Sequence, residues 1–246
     1  MAAVQYGFGS GILYGIRSDV TNATPVRFGV LQDVSIEFDA EIKELYGQLQ
    51  YPVDAARGKA KITGKAKFGM LSPLLFNNLF FGQTDVTGQK LFAYNESHPY
   101  ASTITATNGA TFDTDLGVIY ANTGVPLTLV TSLTAAGQYT VNTSTGVYGF
   151  YSGDSTNGPF LLNYTYTATS GSTLSNSNLL MGTTPKFQAV FNQIYSGQST
   201  TLKLFSCVST KLSMPTKIDD YTIPEIDFSA FANSAGSVFE LSMSAV

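Results

Sequence analysis

Charge, cysteine and histidine are what this 246-residue chain has least of. Only 12% of its residues are Asp, Glu, Lys or Arg, about half the usual share in soluble domains. A surface with so little electrostatic repulsion suits a protein that spends its life in an assembly rather than as a dilute monomer. The single cysteine, Cys207, excludes an intramolecular disulfide and by itself cannot build a thiolate metal site. With the single histidine, His98, it leaves very little material for catalysis or metal binding. A formal charge of −4 gives no basic excess, which excludes tight binding to nucleic acid through phosphate neutralisation but still allows a surface that DNA slides past. No Lys or Arg precedes Arg17, and glycines interrupt the apolar residues of the N-terminus. That segment reads neither as a signal peptide nor as a membrane span, which implies synthesis and folding in the cytoplasm.

What the chain does have is a succession of short runs rich in Val, Ile, Thr, Tyr and Phe, punctuated by Gly, Asn, Asp and Ser, the pattern of an all-β protein. The clearest strands span residues 34–42, 59–68, 117–121, 138–142, 147–151, 161–168, 186–194, 200–208 and 238–243. Helix is scarce. Leu71, Leu74, Leu75, Leu79 and Phe80 recur at helical spacing before Gly82, which predicts one short helix over residues 71–81, and a second is expected over residues 227–233.

Charge divides the chain more sharply than hydrophobicity does. Residues 91–185 contain no Lys or Arg, whereas residues 43–67 hold six. The middle therefore reads as a small inserted β domain, residues 95–172, ending within a linker-like run over residues 169–178. Residues 1–94 and 173–246 then return to one discontinuous core.

The most informative stretch begins at Asp33. Val34, Ile36, Phe38, Ala40 and Ile42 alternate with Asp33, Ser35, Glu37, Asp39 and Glu41, which predicts a half-buried strand with an acidic outer face. From Arg57 to Phe68 the same period returns with the opposite sign, because Arg57, Lys59, Lys61, Lys65 and Lys67 alternate with small and apolar residues. Antiparallel pairing would set acid against base, and a slip of one residue would bury a row of charges, so the register is strongly specified. Gly58, Ala60, Gly64 and Ala66 predict a close neighbour on the inner face, with the helix from Leu71 the nearest candidate. Between the strands, residues 43–56 read as a loop far longer than a hairpin needs. It is also rich in apolar groups: Leu45, Tyr46, Leu49, Tyr51, Pro52 and Val53. Such a loop either docks on a neighbouring subunit or folds back over its own core.

An acidic strand, a long apolar segment and a basic strand running into a helix, DVSIEFDAEIKELYGQLQYPVDAARGKAKITGKAKFGMLSPLLFNNLFFG, resemble the corresponding part of the major tail tube proteins of long-tailed bacteriophages. Residues 111–168 are similar to the inserted part of some of these proteins, and residues 181–244 to their closing strands. The resemblance is one of arrangement and covers most of residues 30–246. It implies a β-sandwich or barrel core, shared with type VI secretion tubes, carrying the insert on its outer surface. Hexameric rings of such subunits stack into a hollow virion tail tube through which the genome passes. It implies no enzyme activity and no cofactor. The partners it implies are other copies of the chain, other tail proteins at the tube ends, and DNA that passes without specific binding. The apolar segment from Leu45 would contact the next ring, and the two charged strands would belong to the sheet lining the lumen.

Sharper chemistry has thin support. Cys207 with His98 as a nucleophile pair, Asp219, Asp220, Glu225 and Asp227 as paired carboxylates, and Asp113 with Asp115 as calcium ligands are all better read as core, turn and cap residues. Gly7, Gly9 and Gly11 lack the βαβ unit that a phosphate loop requires and are read as a flexible arm. The alternative from another class is a carbohydrate-binding or adhesin-like β module, in which Tyr100, Tyr120, Tyr139, Tyr148, Tyr151, Tyr164 and Tyr166 stack on sugars.

Overall fold

A computed structural model describes residues 6–243 of the chain. Its first strands are β1 (Ile12–Arg17), β2 (Val26–Arg27), β3 (Leu31–Tyr46) and β4 (Pro52–Phe68), followed by helix α1 (Pro73–Phe76) and a π-helical turn (Asn77–Phe81). Then come β5 (Asp85–Thr87), β6 (Lys90–His98), β7 (Thr103–Thr105), β8 (Phe112–Tyr120), β9 (Thr128–Leu129), β10 (Gln138–Asn142), β11 (Val147–Phe150), β12 (Phe160–Thr167) and β13 (Ser172–Leu174). The last are β14 (Phe187–Tyr195), β15 (Gln198–Ser213), β16 (Glu225–Ala230) and β17 (Phe239–Met243). The protein is therefore all-β with little helix.

Two compact units result: Met1–Thr84 with Leu174–Val246, and Asp85–Thr173. The second begins at Asp85 rather than at Asn95, because Asn95 falls inside β6, a strand that starts at Lys90 and pairs along β12. The fall in charge that marks the insert in the sequence starts only after Lys90, so composition lags behind topology.

The first unit is built on one eight-stranded sheet in the order β2–β1–β14–β15–β16–β4–β3, with β17 also on β15. Its two outermost strands, β2 and β3, are joined by residues 28–30 alone. Three residues span about 10 Å at most, so the sheet has to curl until its ends meet at that corner. The β14–β15 hairpin closes through Ser196 (φ 51°) and Gly197 (φ 79°), both on the positive side as a tight two-residue turn of primed type requires. The buried face carries Leu13, Phe187, Leu204, Ile226, Phe228 and Phe68, and Leu75 and Leu79 from the helical segment pack into the same core.

Two expectations change at the helices. Ser72 caps α1, its Oγ accepting from Leu75 N at 3.3 Å with Pro73 in the first turn, so the helix starts later than Leu71. It then widens into the π turn and stops at Gly82 (φ 65°). The widened turn seats Leu79 against Gly15 of β1, where an added Cβ would lie 2.6 Å from Leu79 Cδ2. The second expected helix, residues 227–233, is instead largely strand β16 and the bend after it. Ile226 and Phe228 point into the core at alternate positions, and the vacancy between β15 and β4 imposes extended backbone over local preference.

The close neighbour of β4 is likewise Phe228 and not the helix. Gly58 and Ala60 are exposed, whereas an added Cβ on Gly64 would lie 2.2 Å from Phe228 Cζ, in a ring that is itself 1% exposed. Gly64→Ala is accordingly expected to destabilise the first unit by about 1–3 kcal/mol through overpacking. Adding Phe228→Leu should return part of that loss, and denaturant unfolding of the two variants measures both effects.

Candidate functional site

The segment between the two charged strands is the feature the fold leaves most conspicuously without a partner. It is not a loop. Strands β3 and β4 continue pairing through Ile42↔Arg57, Lys43↔Ala56, Glu44↔Ala55 and Leu45↔Asp54, and they close over a tip at residues 47–51. Every residue from 41 to 61 is exposed. At about 3.4 Å per residue, the paired part beyond Ala40 extends about 20 Å. Leu49 and Tyr51 are each 81% exposed and Val53 72%, with Leu45, Tyr46 and Pro52 exposed beside them. Neither an idle loop nor one folded back on its own core describes this arm. Both its faces meet solvent, so no contrast of buried and exposed positions marks the continuing strands in the sequence.

Strand β3 is also an open edge. Among the described residues its only strand partner is β4; Ser10 Oγ donates to Leu31 O at 2.8 Å at its start, and no other strand covers its far side.

The charged faces meet only in part as the alternation predicts. Asp33 stands opposite Lys67 with an ion pair of 3.6 Å, and Asp39 stands opposite Lys61. Glu37 faces Thr63 and Lys65 faces Ser35. Bulged pairing between Ala40 and Ile42 sets Arg57 opposite Ile42, with Lys59 in the irregular stretch, and Glu41 pairs within its own strand to Lys43 at 3.2 Å. The partner that sequence reasoning missed is Glu225 of β16, which takes Lys65 at 2.9 Å and Lys211 at 3.2 Å. The Lys65 hydrogen bond holds the Glu225 carboxyl below its ordinary range, and Lys65 is raised in turn. The alternation Glu225-Ile226-Asp227-Phe228 was the available signal. Asp33, Glu37, Asp39, Glu225 and Asp227 thus share one sheet face with Lys61, Lys65, Lys67 and Lys211, leaving a formal excess of one negative charge.

In the second unit, the tyrosines offered to sugars are core or half-buried residues. Tyr139, Tyr148 and Tyr164 are at most 3% exposed, packed between the β7–β11–β10–β9 and β6–β12–β8 sheets. Their hydroxyls end on carboxylates. Tyr139 donates to Asp115 Oδ2 at 2.6 Å and Tyr148 to Asp115 Oδ1 at 2.8 Å. Tyr120 donates at 2.6 Å to Asp154, which is fully buried. Tyr164 donates to Glu96 Oε2 at 2.5 Å, and Thr107 supplies N–H and O–H donors at 2.9 Å to Glu96 Oε1. Burial, and then the adjoining carboxylates, push these phenols up, Tyr120 to about 12.

Most of the residues considered for catalysis are similarly engaged, although Asp227 Oδ1 is buried without a hydrogen-bond partner among the described residues. Cys207 is fully buried, and burial pushes its thiol up to about 12. His98 Nε2 lies 2.6 Å from Glu96 Oε1. Asp113 is bound by Lys90 and Thr165, Asp115 by the two tyrosines, and Asp220 by Lys217. Among the described residues no cluster of His, Cys, Asp and Glu is arranged to hold a metal ion, and no helix is long and apolar enough to cross a membrane. In the glycine-rich N-terminal segment, Gly9 O accepts from Gln193 Nε2 at 2.6 Å. No protein-family model matches the chain, and no curated protein matches it.

Glu96 provides a test of the insert's internal bracing. Burial alone would raise its carboxyl, but donors from Tyr164, His98 and Thr107 outweigh burial and hold it below the ordinary value. Its contribution to stability is therefore complete above about pH 4.3 and is lost as the pH falls through the depressed folded value. Tyr164→Phe should cost about 1.5–3 kcal/mol and move the acid loss of insert structure to higher pH. Amide exchange of residues 85–173 across the acid range measures both.

Proposed function

We propose that this chain is a non-enzymatic structural subunit that polymerises as stacked rings into a hollow tube, the major tail tube of a long-tailed phage, made in the cytoplasm of the bacterial host and carried in the virion. The observation that carries this reading is the fully exposed hairpin of residues 41–61 with its apolar tip. A monomer gains nothing from about 20 Å of fully exposed strand bearing Leu45, Leu49, Tyr51 and Val53, whereas a stacked neighbour would bury those side chains. The open edge of β3 supports the same reading, because pairing it with a neighbouring copy around a ring removes an edge that otherwise invites uncontrolled aggregation.

The mixed-charge face of β3, β4 and β16 suits a conduit for DNA. Lysines already neutralised by Asp33 and Glu225 offer phosphate few new contacts, and each fixed cation–phosphate contact would slow passage. In this reading the partners are further copies of the chain, other tail proteins at the tube ends, and DNA in transit. Six subunits per ring comes from the family resemblance. Against the sugar-binding alternative, three of its seven tyrosines, Tyr139, Tyr148 and Tyr164, are core residues with no ring face free for stacking.

Negative-stain electron microscopy across protein concentrations tests the proposal, comparing the intact chain with one whose residues 45–54 are replaced by a short Gly/Ser linker. Hollow rods from the intact chain, reduced to single rings or monomers in the variant, are expected. An intact chain that stays monomeric at every concentration would overturn the reading.

A further inference from the structure

The eight-stranded sheet contains a split. Strands β16 and β17 lie end to end along the same side of β15, at residues 207–213 and 200–204 respectively. Strand β4 pairs with β16 through Ile62–Lys67 but does not go on to pair with β17. A groove of about 470 Å³ opens there, with Phe38, Arg57, Lys61, Ile62, Val238 and Phe239 on its walls. Phe38 and Phe239 meet edge to face across it at 5.1 Å, yet remain 53% and 46% exposed. Apolar walls with two unpaired strand edges form a receptor for an extended or looped segment. Neither Arg57 nor Lys61 makes an ion pair among the described residues, and with Asp39 they give the groove a formal charge of +1.

The same unit carries a segment with the complementary chemistry. Between β15 and β16, residues 214–224 expose Ile218 at 99% and Tyr221 at 88%, with Asp219 and Asp220 between them. Lys217 reaches Asp220 at 3.3 Å, so the segment's formal charge is −1. An isoleucine that exposed is not seated in any groove of its own chain.

We propose that the β15–β16 loop of a second copy docks in the split between β4 and β17, with Ile218 and Tyr221 against the Phe38–Phe239 walls and Asp219 and Asp220 facing Arg57 and Lys61. The hairpin tip is the competing occupant, and charge decides against it: residues 45–53 carry no acidic group and so leave the groove's net positive charge, with Arg57 opposite Ile42, unmatched. Loop and groove are different surfaces of one chain, so the contact is heterologous. It propagates around a ring or along a filament instead of ending at a dimer. The proposal rests on the assembly reading above and names one of its contacts.

Two measurements on the full chain test it. The first pairs Ala60→Cys with Ile218→Cys; native Cys207 is fully buried and does not compete. Oxidation of the double variant should give a disulfide-linked ladder of oligomers, while each single variant stays uncrosslinked. A double variant that assembles without crosslinking overturns the proposal, as does Ala60→Cys crosslinking to Leu49→Cys in the hairpin tip in its place. The second reverses charge. Arg57→Glu with Lys61→Glu, or Asp219→Lys with Asp220→Lys, should each raise the concentration needed for assembly at least about tenfold, and combining them should recover most of that loss. Reversals that leave assembly of a polymerising protein unchanged overturn this contact and leave the tube reading standing. An unmodified chain that never polymerises overturns both.

Discussion

The Phe228 ring occupies the space where a side chain on Gly64 would lie, and that close approach holds β16 tightly against the core half of β4. From Ile62 to Phe68 every second residue of β4 is buried, and β16 flanks it. Before Ile62 the flanking strand ends, the burial ends with it, and only β3 remains as a partner. The projecting hairpin is thus a cantilever. Its outer half is held by backbone pairing to one neighbour, while its base is clamped by β16 and the aromatic core. Extended backbone without a buried face is marginal on its own, so the geometry of the arm depends on that clamp.

Several features of the first unit follow from the same arrangement. An open β3 edge, an exposed arm with an apolar tip, and a split beside β17 are each liabilities in a dilute monomer. In the assembly reading proposed above, a neighbouring copy would cover each of them. Electrostatics is consistent with this economy. Charge is concentrated on the face of β3, β4 and β16, where cations and carboxylates largely cancel, and the arm's apolar tip carries none between Leu45 and Val53.

The second unit is organised differently, around hydrogen bonds from phenols to carboxylates. Asp115, Asp154 and Glu96 each receive at least one tyrosine hydroxyl along with backbone donors, so in a domain with no Lys or Arg beyond Lys90 these three acids are stabilised largely by neutral donors, while Asp113 takes Lys90 itself. Such bonds to a charged acceptor are stronger than ordinary ones and costly to break. They let large amphipathic rings fill a small core while their polar ends are satisfied.

The sequence by itself determined the β class, the existence of an insert and the alternation of Asp33–Ile42 and Arg57–Phe68, because a side-chain period of two and a change in composition are local properties that need no partner to be read. It also marked Leu45, Tyr46, Leu49, Tyr51, Pro52 and Val53 as out of place in an idle connection. Only the tertiary structure decided that these residues extend two strands, that residues 225–230 form β16 instead of a helix, and that Lys65 answers to Glu225 more closely than to the acids of β3. Each of those outcomes depends on which strand comes to lie alongside: the alternation of Glu225 to Phe228 hints at a strand, but nothing local says that Lys65 is its neighbour. A strand with solvent on both faces looks like a loop, and a short apolar run fits helix or strand until the vacancy it must fill is known.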